Sequence, residues 1–163
     1  MSFLLSPRGI LSFIIGLFFM FGVVYFVALG HTLVDLKTVL LGFQISPWLG
    51  WNILSPTIKA SLADYLIRPY TLATATPPAQ TYVPIAALAL GGFVMGLIRK
   101  HPLNAAIIGF TLAIVVIIAY VVSLISNPYN IIPSILGLSL NDILLVFVIP
   151  SATGFIGSLL TAI

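Results

Sequence analysis

Few side chains in this sequence are suited to chemistry: two histidines, His31 and His101, and three acids, Asp35, Asp64 and Asp142, with neither glutamate nor cysteine. Imidazole is the common axial ligand of haem iron, so His31 and His101 are the candidate haem ligands. His31 closes the first apolar run and His101 opens the third, which puts a hydrocarbon layer of about 30 Å between them. One chain therefore cannot present both to one iron, and a haem would need a ligand from a second chain. Histidines at such boundaries more often serve only as polar residues at the edge of an apolar run, so no cofactor is expected. Asp142 is the one acid near an apolar run. It follows Ser139 by three residues, the spacing of a helix-start capping pair, where the helix dipole favours a carboxylate.

The missing residues exclude as much as the present ones suggest. Proton pumps and ion-coupled transporters carry acids or bases within their spans, and the apolar runs here carry none at mid-depth. Without cysteine there is no disulfide, thiolate metal site or iron–sulfur cluster. No carboxylate pair, nucleophile–base set or phosphate-cradling glycine loop is present, so an enzyme is not expected. The net charge of +3 is spread over connecting segments and run ends. It forms no basic face with interleaved aromatics, so nucleic acid is not an expected partner.

The elements that position these residues are set by the solvent. Only 6% of the chain is charged and 61% is hydrophobic, with a mean hydropathy of +1.25. A soluble surface needs roughly 25–35% charged residues. The sequence predicts an all-α membrane protein, one membrane domain over 1–163, with four transmembrane helices at about 10–30, 82–98, 103–126 and 141–163. The first run is about 20 residues, longer than the 7–15 of a secretory signal, and reads as a signal-anchor span. The second is near the lower limit for crossing. The third is rich in valine and isoleucine, yet an apolar stretch of its length satisfies its backbone in lipid only as a helix. Pro150 lies inside the fourth and should kink it.

Residues 31–81 differ from the rest. Lys37, Lys59 and Arg68 fall here with Asp35 and Asp64, and so do Trp48 and Trp51, the only tryptophans. Indole rings favour the headgroup level, which makes Trp48 and Trp51 interface anchors and places this segment against the bilayer surface. One or two short interfacial helices are expected in it. Ser55-Pro56 reads as a cap followed by a first-turn proline, opening an amphipathic helix to Arg68, where Pro69 stops it. Asp64 and Arg68 have the spacing of an ion pair within that helix. Residues 32–43 form a second candidate, and 73–80 read as a linker. Arg8 before the first span and Arg99-Lys100 between the second and third fall on one side of a four-span map. The positive-inside rule makes that side cytoplasmic, with both termini, and puts 31–81 outside a cell membrane; Arg99 and Lys100 anchor the inner face.

Small residues recur at helical spacing in three runs: Gly92 and Gly96, Ala105 and Gly109, Gly154 and Ser158. Such pairs let backbones approach closely and gain contacts that lipid tails do not match. They predict helix packing, within the chain or against a partner. The leading expectation is a structural or accessory subunit of a larger membrane complex, respiratory or otherwise energy-converting. Its partners would be the bilayer and other membrane subunits. Two alternatives stand beside it. One is an oligomeric channel or small transporter, with Pro150, Ser151 and Thr153 near a pore. The other is a haem-bearing membrane anchor.

Overall fold

The computed structural model describes residues 6–28, 65–74, 82–125 and 136–162. His31, Trp48, Trp51, the candidate helix at 32–43 and most of the one at 55–68 lie outside the described residues, as does Asp64. Among the described residues the chain is all helical, without a strand. In order, α1 spans Pro7–Val23 and continues as a π-helical turn, Val24–Ala28; α2 spans Pro69–Thr74, α3 Val83–Ile98, α4 Pro102–Ile125 and α5 Leu140–Thr161. α1 with its π turn, α4 and α5 are long and apolar enough to cross a membrane, and α3, at 16 residues, is shorter.

Local chemistry sets the helix ends. Ser6 caps α1 by accepting from the Gly9 N–H at 3.2 Å, and Pro7 occupies the first helical position, where its missing N–H costs nothing. This cap starts the helix a few residues before the expected boundary at Ile10, because the capping pair precedes the continuous apolar run. Ser139 caps α5 in the same way, accepting from the Asp142 N–H at 3.0 Å. Pro69 corrects a second expectation. It ends the helical turn at 65–67, but it also opens α2, so residues 73 and 74 belong to a helix rather than to a linker.

The long helices alternate in direction. α5 packs between α3 and α4, while α1 packs on the other flank of α3. Gly92 meets Pro150 and Gly96 meets Gly154, so α3 and α5 run parallel. Gly109 meets Pro150 and Ala105 meets Gly154, so α4 runs antiparallel to α5. Narrow stripes are buried, Gly9, Ser12, Gly16 and Met20 on α1 and Asp142, Val146, Pro150 and Gly154 on α5. In each of α1 and α5 only 28% of the span is covered by the rest of the protein. The outward faces carry Phe18, Phe19, Leu140, Leu144, Val148 and Leu160. Apolar surface this continuous requires lipid or another apolar protein against it.

Candidate functional site: a buried carboxylate at one end of a glycine-packed bundle

The seam between α3, α4 and α5 is made of backbone. A Cβ built on Gly92 or on Gly109 would lie 2.5 Å from the same atom, the Pro150 carbonyl oxygen. Pro150 is thus pressed between two glycines on opposite neighbours. A Cβ on Gly96 would strike the Gly154 carbonyl, and one on Gly157 would lie 2.5 Å from the Phe93 carbonyl oxygen. Of the small residues read from the sequence, Gly96 and Ala105 both meet Gly154, whereas Gly92 and Gly109 meet Pro150. Ala105 packs beside Gly154, and Ser158 is buried with its hydroxyl donating to the Phe155 carbonyl at 2.8 Å.

Pro150 removes one backbone donor from α5, yet the helix runs through it as one element. Two hydroxyl residues follow it within the next turn. Ser151 donates to the Phe147 carbonyl at 2.7 Å and Thr153 to the Ile149 carbonyl at 2.8 Å. Both side chains bond within their own helix, in the pattern that short hydroxyl residues adopt inside membrane helices.

A different joint closes one end. Asp142, in the first turn of α5, is fully buried, and its carboxylate reaches across to α2. Oδ1 accepts the backbone N–H groups of Tyr70 at 2.8 Å and Thr71 at 2.9 Å. Oδ2 accepts the hydroxyls of Ser139, at 2.6 Å, and of Thr71. The amides of Tyr70 and Thr71 belong to the first turn of α2 and have no partner inside that helix. One carboxylate therefore caps a second helix more than sixty residues away while completing the cap of its own. Burying an unpaired carboxylate costs several kcal/mol. Four donors on its four lone-pair positions offset that cost.

Beside Asp142, the helical turn at 65–67 puts Leu66 and Ile67 into the bundle with almost no exposure. Leu66 joins the main apolar cluster with Met20, Val24, Val83 and Val116, and Ile67 packs with Tyr120. The Arg68 guanidinium donates to the Tyr120 hydroxyl at 3.4 Å. At the opposite end Arg99 is nearly buried, its backbone N–H closing α3 on the Gly96 carbonyl at 3.0 Å, while Lys100 and His101 are exposed. Among the described residues no three His, Cys, Asp or Glu side chains group as a metal site.

Three contacts escape a reading of the sequence. Gly91 faces α1, where a Cβ would lie 2.9 Å from the Gly16 carbonyl oxygen and 2.9 Å from Met20 Cβ. The Gly91-Gly92 doublet was the available signal, since adjacent helical positions point to different neighbours. Gly157 is the second. The third is the reach of Asp142 to Tyr70 and Thr71, for which the sequence offers only the local Ser139 spacing. Compared with known protein families, curated proteins and solved structures, this chain matches none.

Proposed function

We propose that the chain is a structural subunit of a larger membrane assembly, crossing the bilayer four times. The termini and the Arg99-Lys100 turn lie on the cytoplasmic side and 31–81 on the outer side. α3 rises about 24 Å, short of a hydrocarbon core of about 30 Å. Its crossing relies on Tyr82 at one end and on Lys100 reaching to the headgroups at the other. The observation that carries the reading is the full commitment of Asp142. A relay or ion-binding carboxylate needs a free lone pair or an exchangeable partner, and this one has three acceptor positions spent on α2 and the fourth on the Ser139 cap of its own helix. Among the described residues the rest of the buried interior is mainly alkyl side chains and glycine-packed backbone, the make-up of a packing unit.

The test is copurification of the full chain from its native membranes in mild detergent, with cross-linking before extraction. Stoichiometric membrane partners are expected. Elution as a lone, homogeneous species under both conditions would reject the assignment.

A further inference from the structure

The two joints differ in kind, and that difference makes one part of the molecule separable from the rest. Inside the bundle, the hydroxyls of Ser12, Thr111, Ser151, Thr153 and Ser158 donate to carbonyls of their own helices, three or four residues away. Contact between the long helices there is steric. Residues 65–74 are held otherwise. Their polar attachment runs through Asp142 to Tyr70 and Thr71, and through Arg68 to Tyr120. Their apolar attachment is the insertion of Leu66 and Ile67, the burial of Pro69 and the packing of half-buried Tyr65 against the main cluster.

We propose that residues 65–74 form a lid latched by Asp142 over an apolar slot at this end of the bundle. Opening the latch withdraws Leu66 and Ile67 and uncovers the slot beside Val24, Val83, Val116 and Tyr120, while the glycine seams stay closed. The lid has a small apolar anchor, two inserted side chains, a proline and half-buried Tyr65, against which the polar latch is a large share of its hold. The bundle does not depend on the latch. Pro150, Gly92, Gly96, Gly109 and Gly154 lie deeper along the helices and meet through backbone atoms. Local opening of this kind proceeds at lower free energy than global unfolding when few contacts must part.

The experiment is amide hydrogen exchange on the full chain in lipid nanodiscs, comparing the native protein with Asp142→Asn and Thr71→Val. The asparagine turns one acceptor oxygen into an NH2 group facing donors. It should raise exchange at Tyr70 and Thr71 at least about tenfold, the factor corresponding to about 1.4 kcal/mol. Thr71→Val removes one donor and leaves the carboxylate in place, and should raise exchange at the same amides about threefold. Amides of residues 91–96 and 151–157 should not change in either variant. Unchanged exchange at 70 and 71 in both variants would overturn the latch. An equal rise along 91–96 and 151–157 would overturn the separability of the lid. If the Asp142→Asn protein does not fold, Thr71→Val alone decides between these outcomes.

Discussion

The middle of the bundle and its Asp142 end solve one problem, joining apolar helical segments, with opposite chemistry. In the middle, Gly92, Gly96, Gly109 and Gly154 remove side chains so that carbonyls and Cα atoms touch directly. No group there has a charge to lose, and attraction comes from dispersion over close contact. At the end, one carboxylate gathers four donors, and the attraction comes from charge-assisted hydrogen bonds. The first joint fails when an atom is added, and the second when a charge is removed. Each is insensitive to the insult that breaks the other.

The largest effect should follow one added methyl at Gly96. Its Cβ would meet the Gly154 carbonyl and Cα, backbone atoms that move only if the helices separate. Gly96→Ala should destabilise the bundle by about 3 kcal/mol, the upper part of the overpacking range, read from thermal or SDS unfolding in detergent micelles. The other side of the same seam sharpens the point. At Gly154 the nearest atom to a new Cβ, at 2.9 Å, is the Met95 Cε, the free end of a flexible side chain; the next, the Ala105 carbonyl oxygen, lies at 3.2 Å. Gly154→Ala should cost about 1 kcal/mol, since the thioether can turn away. Equal costs at 96 and 154 would mean that helix propensity, not steric contact, governs the seam.

What the sequence reveals follows the same division. The helices were legible because an uncharged apolar run of about twenty residues is too long for a spanning strand and pairs its backbone as a helix, and Val83–Ile98 and Pro102–Ile125 fall within a residue or so of their hydropathy limits. The small-residue pairs were legible as spacing, but their partners were not. Gly92 and Gly96 look alike whether they meet α5 or a second protein. Gly91 was hidden because a pattern that scores one face of a helix discards the residue beside it. Ser139 and Asp142 were legible as a local cap, since three residues fix that geometry. The capture of Tyr70 and Thr71 was not, because it arises only when chain reversal brings α2 over the start of α5. Pro69 misled for a related reason: proline stops a helix arriving from its N-terminal side and also favours one that begins at itself.

The end joint has its own graded test. Ser139 accepts the Asp142 N–H and donates to the Asp142 carboxylate, so it touches α5 and the latch together. Ser139→Ala should cost about 1 kcal/mol in unfolding, the usual loss for a helix cap. It leaves Oδ1 and the two α2 amides as they are. A loss approaching that of Gly96→Ala would mean that the latch carries the bundle, and the division between the two joints would fail.

The smallest effect is expected at a glycine that neither joint uses. Gly22 lies on α1 with nothing within 4 Å of an added Cβ, in an apolar notch flanked by Phe18, Phe21 and Phe26. Glycine identity alone predicts sensitivity there, whereas the steric account predicts none. Gly22→Ala in the isolated protein should shift unfolding by no more than about 0.5 kcal/mol in either direction, as at a surface position. A loss above about 2 kcal/mol would place a second molecule against this face of α1 in the purified sample. The contrast between buried seam and open surface would then have to be redrawn around an oligomer.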